Sequence, residues 1–140
     1  MASQHVDVAA AAWTSGVAYF GPNAIYRGQE IVQMKVLSDR RAEGGGIAWL
    51  LRFAPPPGKL IKIVATARSD EHVFNLSGGR VTKSGATAQR SGGYTLNPEG
   101  QPHGNMIGQE TVALVIYRGE PDEVRSFEVI DREPAPGERA

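Results

Sequence analysis

Seven apolar runs of strand length set the limits on what this chain can become: Glu30 to Leu37, Gly46 to Phe53, Leu60 to Ala67, His72 to Leu76, Gly93 to Leu96, Thr111 to Tyr117 and Ser126 to Ile130. They are separated by stretches rich in glycine, proline, serine and acidic residues, such as Ser38 to Gly46, Gly78 with Gly79, Ser91 to Gly93, and Gly119 with Pro121. Short runs with this punctuation predict strands joined by hairpins and corners, so the chain is expected to be all-β. Only Val8 to Trp13 has the composition of a helix, and a segment so short is marginal alone. Strands of this number and spacing suit an immunoglobulin-like sandwich or a jelly roll, and composition does not choose between them.

At 140 residues the chain is long enough to bury one core without disulfides, and it contains no cysteine. Thiolate metal sites, disulfide scaffolds and cysteine nucleophiles are thereby excluded. Fifteen Lys and Arg balance fifteen Asp and Glu, so the positive field that draws nucleic acid or an anionic membrane is missing, and neither is expected as a partner. No apolar run approaches the length of a membrane-spanning helix. The first seven residues hold no Lys or Arg and the apolar stretch after them is short, so an unexported, cytoplasmic protein is expected. The expected organisation is an N-terminal segment over 1–20, one domain over 21–132, and a flexible, Pro- and charge-rich tail over 133–140.

Two blocks of residues carry a family resemblance. The second runs Gly92, five residues, Pro98, one residue, Gly100, two residues, His103, and then Ile107 after three more. The first runs Gly58, five residues, Val64, one residue, Thr66, four residues, Glu71, six residues, Gly78. In order and spacing they resemble the two motifs of the cupins. Residues 34–37 and 50–55 resemble the entry strands of small single-domain cupins akin to the cupin domain of ChrR-type anti-sigma factors. The resemblance covers about residues 30–118 and implies a single-domain cupin jelly-roll β-barrel.

It also implies a pocket. Metal-binding cupins use two histidines and a glutamate from the first block and one histidine from the second, whereas positions 64 and 66 here are Val and Thr. A divalent ion needs three or four donors with lone pairs, and Glu71 with His103 supplies two, so no metal ligand set and no cofactor are expected. His5 lies in the N-terminal segment, and His72, next to Glu71 on a strand, points to the opposite face. The surviving Glu71 and His103 read as a proton-transfer pair, with His103 moving the proton and Glu71 orienting it.

The expected activity is that of a metal-independent isomerase, epimerase or lyase acting on a small molecule. The alternatives are a non-catalytic ligand-binding or sensor cupin, and a metal-dependent, dioxygenase-like cupin with a rebuilt site. Strand parity puts Lys62, Val64 and Thr66 on one face, read as the inner one, where Lys62 would bind an anionic substrate or else stand exposed on its strand. Val64 opposite Ile107 would make the pocket apolar. Arg52 is a further substrate-binding candidate whose facing the sequence leaves open. Tyr94, Trp49, Phe53 and Tyr117 read as core or dimer interface, and a homodimer paired through an edge strand is expected.

Other signals fall away. Asn75, Leu76, Ser77 matches a glycosylation acceptor but lies within a predicted strand, and Gly44 to Gly46 lacks the strand, helix and lysine of a phosphate-binding loop. No hydrolase elbow, zinc-protease helix, dinucleotide fingerprint or calcium loop is present.

Overall fold

The computed structural model describes residues 2–134 and Gly137, so most of the expected 133–140 tail lies outside the described residues. Strands β1 (Thr14–Ser15), β2 (Ile25–Tyr26), β3 (Gln29–Glu30), β4 (Val32–Asp39), β5 (Ile47–Phe53), β6 (Lys59–Thr66) and β7 (Glu71–Ser77) make up the first half. The second half contributes β8 (Arg80–Val81), β9 (Thr87–Gln89), β10 (Tyr94–Asn97), β11 (Pro102–Ile107), β12 (Thr111–Tyr117) and β13 (Glu123–Asp131). All seven expected runs are strands. The fold is the expected all-β jelly roll.

It is not, however, a closed barrel. One sheet runs β1-β4-β5-β12-β7-β10, a second runs β11-β6-β13, and no ladder joins them. The outer strands of the larger sheet are two and four residues long, too short to carry hydrogen bonding round the corner. The two sheets face each other across a core of alternate residues, as the two-residue side-chain period requires. Trp49, Leu51 and Phe53 of β5 and Ala113, Val115 and Tyr117 of β12 meet Ile61 and Ile63 of β6, Ile107 of β11 and Phe127 of β13.

The helix expected at Val8 to Trp13 forms instead at α1 (Val17–Phe20). Burial decides its place: Phe20 enters the core, stacking at 5.1 Å on Phe127 and 5.9 Å on Phe53, whereas residues 8–10 are exposed. The segment ahead of the helix is tied to the sheet. Lys35 Nζ donates to the Val8 carbonyl at 2.7 Å and stands 4.7 Å over the Trp13 ring. Part of the 1–20 segment is thus laid across the sandwich rather than hanging from it.

One turn holds the inner face in place. Gly46 enters β5 with φ of 73°, and a Cβ there would stand 2.0 Å from the Tyr117 carbonyl oxygen. Substituting alanine combines left-handed strain with a backbone clash. Gly46→Ala is expected to lower stability by about 2 kcal/mol or more in urea denaturation; an unchanged midpoint would contradict this packing.

Candidate functional site

Glu71 opens β7 and points between the sheets. Its cross-strand neighbours on the same face are Tyr117 of β12 and Asn97 of β10, so three polar residues form one row across the larger sheet. From the smaller sheet, β11 projects His103, Asn105 and Ile107 inward, opposite Ala65, Ile63 and Ile61 of β6. A further polar group comes from the loop between β12 and β13, where Asp122 is 5% exposed.

These groups meet at His103. Its Nε2 lies 2.7 Å from Asp122 Oδ2 and 3.6 Å from Glu71 Oε1. The Asn97 amide donates to Glu71 Oε1 at 2.7 Å. The Tyr19 hydroxyl, delivered by α1, donates to the Asp122 carbonyl at 3.0 Å and lies 3.3 Å from the Tyr117 hydroxyl. Beneath this cluster is a cavity of about 60 Å³, whose walls include Phe53, Ile63, Val73, Ile107 and Val115, with Glu71 and Asp122 at its polar end.

The electrostatics follow from burial and pairing. The hydrogen bond to Asp122 raises the His103 pKa above 6.5, helped by the charge of Glu71 and opposed by desolvation. Desolvation raises Glu71 above 4.5, and the charge of Asp122 adds to it; hydrogen bonding from Tyr117 and Asn97 opposes the rise without cancelling it. Burial pushes both Tyr117 and Tyr19 up as well, so both phenols stay protonated donors. The site therefore sets an imidazole that holds its proton more firmly than usual beside a carboxyl group that does the same.

Val64 and Thr66 were expected inside and are not, and Lys62 takes the outward of its two alternatives. The buried residues of β6 are Ile61, Ile63 and Ala65, so the opposite parity faces the core. Lys62 is flanked by Met106 and Glu128 on the outer side, and Thr66 accepts a long hydrogen bond from Arg125 at 3.4 Å. Val64 pairs with Gly104, not Ile107. Arg52 also points away, lying 5.6 Å over Trp13 with its Nε 3.7 Å from Glu110, because Leu51 and Phe53 hold the inner positions of β5. His72 faces outward as expected, 2.7 Å from the Tyr94 hydroxyl.

The sequence reading missed Asp122, Tyr19, Asn97, Arg80 and Asn105, and it placed Tyr117 in the core or a dimer interface. Tyr117 had a signal, since it continues the inward parity of Thr111, Ala113 and Val115. Asp122 had none, because an aspartate after Gly119 and Pro121 reads as turn chemistry.

Glu71, His103 and Asp122 place one ligand atom each within 4.8 Å of one another, which poses the question of the metal that the resemblance implies. Asp122 raises the donors to three, the least such an ion needs, but the set is not the family's. Ile63 and Ala65, the inward residues of β6, have no lone pairs to replace the two missing imidazoles. The 2.7 Å between His103 Nε2 and Asp122 Oδ2 is a hydrogen-bond length. Adjacent ligands around an ion with bonds of about 2.1 Å stand about 3 Å or more apart.

No protein-family model and no curated protein sequence matches the chain. Solved structures do. A cupin-like protein of unknown function from Ralstonia eutropha is 18% identical with a TM-score of 0.64, covering 89% of this chain and 77% of its own. The polyketide cyclase RemF from Streptomyces resistomycificus is 18% identical with a TM-score of 0.55, covering 98% and 90%. KdgF from Halomonas sp. is 13% identical with a TM-score of 0.54, covering 86% and 97%. Two facing β-sheets with polar residues gathered between them, superposing on these neighbours over most of its length, give this chain the fold of a small cupin.

Proposed function

We propose that the protein is a small-molecule enzyme of isomerase or lyase type that works by proton transfer without a metal ion. The observation that carries this reading is a buried carboxyl, Glu71, facing an apolar cavity while a neighbouring imidazole is already paired with a different carboxylate. Glu71 is therefore assigned the moving proton, a role the sequence reading gave to His103. His103, held by Asp122, places positive charge 3.6 Å from Glu71 and stabilises negative charge that develops on the substrate. Tyr117 and Asn97 fix the carboxyl, and the apolar walls keep water away, so the proton that Glu71 gives to one substrate atom is replaced by a proton that the resulting carboxylate takes from another. That a polyketide cyclase shares the fold supports a reaction on a small organic molecule.

The test is hydrogen exchange in D2O on a panel of small ketones, keto acids and hydroxy acids, followed by NMR, with protein before and after chelation. Exchange is expected to survive chelation undiminished. Loss of exchange on chelation, with stoichiometric metal in the untreated protein, would sink the metal-free reading. Saturable binding with no exchange would make the protein a binding module.

A further inference from the structure

Arg80, the first residue of β8, is the one charged group at the cavity that the catalytic reading leaves unused. It is half-buried and lines two spaces at once, the inner cavity and a second depression of about 320 Å³ on the β11 side. Ile63 and Asn105 border both spaces with it. Among the described residues no carboxylate or carbonyl forms an ion pair or hydrogen bond with the Arg80 guanidinium, and the charge whose field reaches it is that of Glu71. Beside it, Asn105 Oδ1 is buried with no hydrogen-bond partner.

A half-buried guanidinium with no carboxylate on it is free to grip an anion, and a buried acceptor with no donor is costly to keep. Both are satisfied together by a ligand that brings an anion and a hydroxyl. The charge balance points the same way: His103 and Asp122 neutralise one another, leaving Arg80 as a net positive charge whenever Glu71 holds its proton. The inner cavity has room for about five or so non-hydrogen atoms, taking roughly 10–15 Å³ for each water-sized probe.

Resting on the proton-transfer reading and extending it, we propose that the substrate is a small hydroxycarboxylic acid, entering past Asn105, with its carboxylate on Arg80, its hydroxyl donating to Asn105 Oδ1 and its carbon chain reaching toward Glu71. A guanidinium grips a carboxylate through two parallel hydrogen bonds, which makes binding depend on shape as well as charge.

The probes are lactate, its neutral isostere lactamide, and propionate, which lacks the hydroxyl, titrated by NMR into the full chain. Lactate is expected to bind at least tenfold more tightly than lactamide, and more tightly than propionate. Arg80→Met should abolish the preference for lactate over lactamide while leaving the melting temperature within about 2 °C of the parent's. Asn105→Ala should remove only the preference for lactate over propionate. Equal binding of lactate and lactamide, or lactate binding by Arg80→Met as tight as the parent's, overturns the proposal. The parent protein separates the two readings: selective carboxylate binding without exchange on any compound defeats the proton-transfer reading alone, and exchange on neutral ketones without carboxylate selectivity defeats this one alone.

Discussion

Glu71→Gln is expected to lower turnover by about 10²- to 10⁴-fold while leaving the melting temperature at neutral pH equal to or above that of the parent. The amide keeps the shape and the acceptor that Asn97 Nδ2 uses at 2.7 Å, but it cannot take up or release a proton. It also removes an ionisable group that burial and the charge of Asp122 already hold toward its neutral form. Steady-state kinetics together with calorimetry decide the matter. Full activity in the variant would dismiss Glu71 from the chemistry, and a large drop in melting temperature would make it structural.

His103→Ala has the opposite signature. Asp122 is 5% exposed, and its Oδ2 has His103 at 2.7 Å while its Oδ1 has no partner. Deleting the imidazole leaves a buried carboxylate unpaired, a change that typically costs about 3–5 kcal/mol. The pH dependence follows with a fixed sign. His103 has a folded pKa raised above 6.5, so its stabilising contribution is complete below 6.5 and is lost as pH rises through the higher folded value. Glu71, raised above 4.5, holds its proton longer when folded and so also loses stability as pH climbs from 4.5 to its folded value. The melting temperature is therefore expected to be highest in mild acid and to fall across neutrality, with the part of the fall above pH 6.5 that belongs to the imidazole missing in His103→Ala. A parent whose melting temperature is flat from pH 6 to 8, or a variant as stable as the parent, would refute the ion pair.

The strands were legible because each is an apolar run with breakers at both ends, and Glu71 with His103 was legible because two spaced motifs carried them. β11 was not read as a strand, since Pro102, His103, Gly104 and Asn105 in succession look like a loop; pairing with β6 overrides that composition. The facing of β6 was lost by a single position, which on a strand exchanges every inward residue for an outward one. Its sequence did hold the answer: Ile61, Ile63, Ala65 and Ala67 are uniformly apolar, while the alternate set contains Lys62 and Thr66. Asp122, Asn97, Arg80 and Tyr19 were beyond reach for a different reason. Tyr19 and Asp122 join the site through approach of segments distant in the chain, Asn97 through strand pairing and Arg80 through the turn after β7, and no motif spacing encodes these meetings.

Tyr19 reaches the pocket from the amino-terminal arm, on a helix of only four residues whose hold on the sandwich is the burial of Phe20 and two phenolic contacts. The completeness of the site is thereby coupled to the docking of a short leading segment. Warming that frays this arm, or proteolysis just ahead of β2, would withdraw a hydroxyl from above Asp122 at the cost of only the two-residue edge strand β1, so loss of the proposed activity would precede loss of most of the β structure.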